Sequence, residues 1–302
     1  MRRFYLNIFF FLFPLIVLFY LFPIERRAKF EGLKNDCYNH AIWIYDRIFL
    51  NPAQIDIAFI GSSRTINAVD DGLLENLLGE ACVSNLGYCR LGMNLQYIII
   101  RDLLSVKNPK EIVLEVREEE SYVSHPVFPN LAKEEDILFS YPFFNESYFN
   151  DYVEFTEYKL QLVQEKILDN RTSVVNHKET HGYTEAILFA SQEELDSAKS
   201  KSERGIKSSD GIYHNLQMQF PEFYLEKIVS LCRENKIALK FLYLPSFGNG
   251  GKLPAELKLY HQYGKVLLAP NEIFATKKNW RDANHLNYLG AEALTRWLKT
   301  QL

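Results

Sequence analysis

The chain has 302 residues, of which 47% are hydrophobic and 24% charged, with a formal net charge of -4 and a pI near 6.0. That composition describes a folded protein with one large or two modest domains. It argues against nucleic acid as a partner, because phosphate binding needs a concentrated basic surface and none is visible along the sequence.

Residues 4–22 are nearly unbroken apolar sequence, interrupted only by Asn7 and Pro14. As a helix they would be about 28 Å long, close to the thickness of a bilayer core. Residues 1–23 are therefore expected to form a retained transmembrane signal-anchor. The competing reading is a cleaved signal peptide, against which stands the lack of a small-x-small site in the stretch from Phe22 to Arg27. Arg2 and Arg3 precede the span and Arg26, Arg27 and Lys29 follow it, so charge counting alone leans toward a cytoplasmic C-terminal domain. Residues 24–50 read as a connector, helical over 34–50 with Tyr38, Ile42, Tyr45 and Phe49 on one side, and stopped at Asn51-Pro52.

Residues 51–302 read as the main domain. A short apolar strand runs into Gly61-Ser62-Ser63. A short helix over 70–78, stopped by Gly79, leads to a second strand at 81–85, a helix at 96–106 and a third strand at 111–116. Residues 121–221 leave this alternation, and their length predicts a helical insert. Its aromatic stretch, 139–152, either packs the insert onto the domain or stacks on sugar rings. The charged, serine-rich stretch 191–210 is expected to be solvated and mobile. A helix at 223–235, a strand at 237–245, a glycine-rich loop at 246–251 read as a flexible rim, a strand at 266–268 and an amphipathic helix through Leu289, Ala293, Leu294, Trp297 and Leu298 complete the chain. The order implies an α/β fold, a mostly parallel sheet with helices on both faces.

Two blocks at opposite ends of the domain carry chemistry. Asp282 and His285 sit three apart just before the last helix, with Asn287 placed to cap it. An Asp that orients a His is two thirds of a nucleophilic hydrolase site. Ser63, on the turn after the first strand, is the matching nucleophile, although Ser62 and Ser63 are also suited simply to cap a helix. Cys82 and Cys89 are near enough to pair in an exported domain or to remain buried thiols. His177 and His181 lack the Glu of a zinc-protease helix, and no metal site is expected. His40, His125, His214 and His261 have no partner identifiable from sequence.

The order of these blocks, Gly-Ser-Ser early and Asp-x-x-His last, resembles the SGNH (GDSL-type) esterases and acyltransferases. Ser63 matches the serine of that family's Gly-Asp-Ser block, with Ser62 in place of the Asp, and Asp282 and His285 match its C-terminal pair. The resemblance implies an SGNH/flavodoxin-like fold. It also implies an oxyanion glycine in the stretch from Asn85 to Gly92, where Gly87 and Gly92 are the candidates and Arg90 stands where relatives carry the glycine itself. The family's Asn after the third strand has no counterpart. Arg117 is either a substitute donor or a surface charge. The flanking residues are most similar to membrane-anchored members acting on bacterial surface polysaccharides. Implied with them are a serine esterase or O-acyltransferase without cofactor, a small acyl group such as acetyl, and a cell-envelope polysaccharide substrate. A membrane-bound acyltransferase partner and a domain on the outer side of the cytoplasmic membrane are implied as well. The alternative is a catalytically weak glycan-binding or scaffold module.

Overall fold

The computed structural model describes residues 2–140, 145–168, 180–204 and 211–302. Helix α1 (Arg2–Leu21) comes first, and Pro14 lies within it. Its Arg3–Leu21 stretch has a mean hydropathy of 2.3, is long and apolar enough to cross a membrane, and is 0% buried against the rest of the protein. The connector then runs through α2 (Arg26–Glu31), a tight turn at Cys37–Asn39, α3 (His40–Tyr45) and a wide turn at Asp46–Leu50, so the helix expected over 34–50 is broken into pieces. Its break has a physical cause. Cys37, Tyr38 and Asn39 all have positive φ (48°, 55° and 66°), a run that no α-helix accommodates.

Five strands, β1 (Ile57–Ile60), β2 (Val83–Asn85), β3 (Glu111–Val116), β4 (Ala238–Tyr243) and β5 (Lys265–Leu267), form a single sheet in the order β2-β1-β3-β4-β5. Every pairing is parallel, with Phe59 of β1 opposite Asn85 on one side and Val113 on the other. Helices α4 (Ser63–Ala68) and α5 (Asp71–Leu78) follow β1, and α6 (Met93–Val106) follows β2. Between β3 and β4 lie α7 (Phe128–Leu131), α8 (Glu134–Leu138), α9 (Tyr148–Ile167), α10 (Gln192–Arg204) and α11 (Ile212–Glu234). Helix α12 (Leu257–Tyr263) joins β4 to β5, and α13 (Asn271–Ala275) and α14 (Tyr288–Leu298) close the chain.

Strand residues point alternately to two faces, and each face has its own core. Ala58, Ile60, Ile112, Leu114 and Phe241 meet α6, α11 and the connector. Ile57, Phe59, Val113 and Leu242 meet Leu74 of α5, Leu195 of α10 and Leu294 and Leu298 of α14. The strands are short and buried on both faces, as a parallel sheet covered by helices requires.

Several expectations need correction. The stretch 191–210 is not simply a mobile segment, because 192–204 is helix α10, with Leu195 buried and Ala198 packed on the second core. Its polar side chains pair along the helix, the Gln192 amide with Asp196 and Lys199 with Glu203, so they solubilise a helix rather than prevent one. Pro221 lies inside α11, which starts eleven residues earlier than expected, at Ile212. Cys89 pairs with Cys37 across 52 residues of sequence and not with Cys82, which is a free thiol. His177 and the aromatic positions 141–144 lie outside the described residues.

Candidate active site

The Gly61-Ser62-Ser63 turn lies at the carboxyl end of β1, where the sheet order reverses between β2 and β3, the crevice in which open α/β sheets place ligands. Ser62 caps α4, its Oγ accepting from the Arg64 N–H at 3.0 Å, and Ser63 is the first helical residue. Gly61 is required here: a Cβ on it would lie 2.1 Å from Thr65 Oγ1 and 2.5 Å from Glu115 Oε2.

At the other end of the domain, Trp280 and Leu286 form an antiparallel bridge with Asp282, Ala283, Asn284 and His285 in the loop between them. Trp280 is fully buried, its indole N–H donating to the Phe274 carbonyl at 2.9 Å. Asn287 caps α14 as its position predicts, accepting from the Leu289 and Gly290 N–H groups at 3.0 and 3.3 Å. Its Nδ2 also donates to the Lys278 carbonyl at 2.8 Å, tying the loop's exit to its entry.

These two turns meet. Ser63 Oγ lies 2.8 Å from His285 Nε2, and His285 Nδ1 lies 2.8 and 2.9 Å from the two carboxylate oxygens of Asp282. The network fixes the tautomer: with Nδ1–H donated to the carboxylate, Nε2 is the acceptor facing the serine hydroxyl. Burial works to raise the Asp282 carboxyl, but hydrogen bonds from His285 and from the Asn284 N–H outweigh it and hold the group below its usual range. The arrangement is chemically complete for moving a proton from Ser63 toward a base whose positive form is stabilised.

Below the pair is a network that sequence reading missed. Glu115, on β3, is wholly buried and accepts from the Ser62 N–H (2.6 Å), the Ser62 hydroxyl (2.7 Å), the Thr65 hydroxyl (2.6 Å) and Arg117 Nε (2.7 Å). Burial would raise this carboxyl, yet Arg117 and the Thr65 and Ser62 donors hold it at about 2. Arg117 is thus not a free surface charge but the counter-ion of Glu115, and its Nη2 also donates to the Ser62 hydroxyl. Arg64 makes the second bridge, donating to Glu118 (2.9 Å), the Leu244 carbonyl (2.7 Å) and Asn284 Oδ1 (3.2 Å). Glu118 in turn accepts from the Ser246 hydroxyl at 2.6 Å and Asn249 Nδ2 at 3.2 Å, and Phe247 N–H donates to the Ala283 carbonyl at 2.9 Å. The 246–251 loop is therefore pinned to the site rather than a flexible rim. One available signal was the Glu that follows the apolar run 112–114 inside a doubly covered strand, since a buried carboxylate demands donors.

Ser63 opens onto a cleft of about 210 Å³ lined also by Tyr38, Asn67, Cys89, Arg281 and the segment from Thr184 to Leu188. That segment belongs to an extended strap, residues 180–190, which crosses both halves of the site. Asp71 accepts from the Gly182 and Tyr183 N–H groups at 2.8 and 3.1 Å, and Thr184 exchanges bonds with Ile66 and Asn67 of α4. Further on, the Ala186 carbonyl accepts from Tyr288 N–H and Ala190 N–H donates to the Trp280 carbonyl. Gly182 permits this path, because a Cβ there would stand 2.0 Å from the Asn85 carbonyl oxygen.

The glycine candidates are placed differently. Gly87 lies beside the Ser62 carbonyl, but its N–H already donates to Asn85 Oδ1 at 3.2 Å. Gly92 opens α6 against His125, and neither glycine lines the cleft. Arg90 adopts a positive φ of 70°, a backbone state suited to glycine, and its guanidinium pairs with Asp36 of the connector at 2.7 Å. In the first turn of α4 the Ser62, Arg64 and Thr65 N–H groups are taken by Glu115 or Ser62, which leaves the Ser63 N–H as the remaining donor among the described residues. His125 bonds the Cys89 carbonyl (2.8 Å), His214 faces Glu256 (3.1 Å), and His181 stands 3.3 Å from Glu75. No described ring of the 139–152 stretch lines the cleft.

Compared with models of known protein families the chain matches none, and comparison with curated proteins finds no match.

Proposed function

We propose that the chain is a membrane-anchored serine esterase or O-acyltransferase of the SGNH type. The observation that carries this reading is the hydrogen-bonded series Ser63, His285, Asp282 at the carboxyl edge of a parallel sheet. His285 Nε2 takes the hydroxyl proton as Ser63 Oγ attacks an acyl carbonyl, and Asp282 stabilises the imidazolium that forms. The Ser63 N–H receives the oxyanion; the Gly87 N–H joins it only by leaving Asn85 Oδ1. Collapse of the tetrahedral intermediate breaks the ester C–O bond, and the leaving alkoxide takes the proton from His285. Water or a second hydroxyl then attacks the acyl-Ser63 ester with His285 as base, giving hydrolysis or transfer. No metal or organic cofactor enters this sequence.

The resemblance to surface-polysaccharide enzymes supports an acetyl-sized acyl group, an envelope polysaccharide and a membrane-bound acyltransferase partner. Placement of the domain outside the cytoplasmic membrane is supported by the Cys37–Cys89 disulfide, a bond that persists in oxidising compartments. That argument outweighs the basic residues after α1, which lean the other way.

A second reading, a glycan-binding module of weak activity, is favoured by one observation, the engagement of the Gly87 N–H by Asn85. Treating the full chain in detergent with a fluorophosphonate separates the two. An adduct on wild type that is lost in Ser63→Ala supports the enzyme, and a folded wild-type chain that takes no adduct moves the conclusion to the module.

A further inference from the structure

Helix α9 (Tyr148–Ile167) carries a row of exposed apolar residues with no counterpart in the site chemistry. Phe149, Val153, Leu160 and Ile167 are 82%, 51%, 47% and 70% exposed, and their spacing of four, seven and seven puts them on one face of the helix. Scattered exposed apolar residues need no explanation, but a continuous stripe along a 20-residue helix does.

The neighbours of that stripe say where it lies. Tyr152 accepts a hydrogen bond from the Tyr20 hydroxyl at 2.6 Å, Lys159 Nζ donates to the Tyr20 carbonyl at 2.7 Å, and Lys166 Nζ donates to the Pro23 carbonyl at 3.2 Å. These contacts spread along fourteen residues of α9, about 21 Å at 1.5 Å per residue, but fall within four positions at the end of α1. Helix α9 therefore runs across the end of α1 and not along it. Val153, Leu160 and Ile167 each follow one of these contact residues directly, so the stripe is turned about 100° from the contact with α1. The buried residues Asp151, Phe155 and Leu162 face the domain on the opposite side of that contact. Gln161 and Glu157 are exposed on the far, polar side.

We infer that α9 lies flat on the bilayer surface where α1 emerges, its Phe149, Val153, Leu160 and Ile167 stripe seated among lipid headgroups and upper acyl chains. The chemistry is that of an interfacial helix: an apolar stripe, a polar flank carrying Glu157 and Gln161, and low overall hydrophobicity. Tyr20 and Tyr152 stack at this level, with Tyr148 one turn earlier on α9, and tyrosine is enriched where apolar chains meet water. A bilayer fits better than a protein partner because α1, fixed to the same helix through Tyr20 and, just beyond its end, Pro23, is itself the apolar span. This inference rests on α1 crossing the membrane, and the test separates the two claims.

The full chain in a Cys82→Ser background would be labelled with an environment-sensitive fluorophore at Val153→Cys, Leu160→Cys or Ile167→Cys, with Gln161→Cys as the polar-face control and Leu12→Cys as the span control. The remaining cysteines are the Cys37–Cys89 pair and buried Cys232. Each variant would be reconstituted in vesicles whose lipids carry a nitroxide quencher near the headgroup or near the chain end. The expected result is several-fold stronger quenching of the three stripe labels by the shallow nitroxide than of the Gln161 label, with the Leu12 label quenched by the deep one. Quenching at Leu12 with none at the stripe overturns the inference alone, while no quenching at Leu12 overturns the span and the inference with it. Stripe labels shielded from aqueous iodide yet untouched by either lipid quencher indicate a protein occupant and also overturn it. These positions are exposed, so substitution leaves the core intact, and an unchanged thermal melt for each variant secures the comparison.

Discussion

A nucleophile and its base act as one unit, and the 2.8 Å separation of Ser63 and His285 makes the pair testable as such. Ser63→Ala and His285→Ala should each lower acetyl-ester turnover by about 10⁴-fold or more, and the double variant should lose little beyond either; additive losses would show that the two residues do not share a step. Ser62→Ala should behave otherwise. Its hydroxyl caps α4 and donates to Glu115, so the loss is one of about 1–2 kcal/mol in stability with turnover largely kept. Glu115 gives a pH signature. Its carboxyl sits at about 2 in the folded chain against 4.5 ordinarily, so the stabilisation is complete above pH 4.5 and is lost as pH falls toward 2. The difference corresponds to about 3 kcal/mol. Denaturant melts of wild type should therefore steepen in acid over that window, and those of Glu115→Gln should lack that part of the slope.

At the scale of elements, the site is held by Arg64, which joins β1's following helix to Glu118 at the end of β3, to Leu244 after β4 and to Asn284 beside His285. Arg64→Met should cost about 3 kcal/mol because Glu118 is left buried and short of a partner. It should also lower kcat more than it raises KM, since it loosens the loop that carries the base rather than the cleft wall. A loss confined to KM would remove this role. The sequence made the β1 turn and the Asp282–His285 loop readable because both are local: a strand ending in small residues, and a cap followed by helical periodicity. It could not reveal the Arg64–Glu118 and Glu115–Arg117 pairs. Their partners are 50 or more positions apart, or sit in a charged string whose neighbours in space are set by strand order. The helix at Gln192–Arg204 was hidden for a related reason. Composition reports its solvated face, while Leu195 and Ala198, which fold it down, are a minority of its residues. Cys37 as the partner of Cys89 was equally out of reach, because sequence proximity favoured Cys82.

For the whole molecule, the question is how the apolar helix and the domain are joined. Deleting residues 1–23 should still yield a soluble folded domain, because only Tyr20 of α1 packs against a core, and its removal costs that contact and frees Lys159 and Lys166 from two backbone carbonyls. Recovery of the truncated chain only as aggregate would place α1 among the elements the fold requires. A periplasm-dependent reporter fused after Leu302 should be active, and activity only of a cytoplasm-dependent one would reverse the orientation. The disulfide closes a loop of 52 residues. Cys37→Ser should lower stability by about 2–4 kcal/mol, and turnover should fall further than stability explains, because Cys89 and Tyr38 line the cleft.

That last feature bears on timing. Tyr38 and Cys89 form one wall of the cleft, and they belong to segments that only the Cys37–Cys89 bond joins covalently at that point. A newly made chain in a reducing cytosol would have its serine and histidine in reach but that wall without its covalent tie, held by contacts such as those of Asp36 with Tyr88 and Arg90. On the proposed reading, catalytic maturation would then coincide with arrival on the oxidising side, and a dithiol added to the finished protein should return it toward the nascent state.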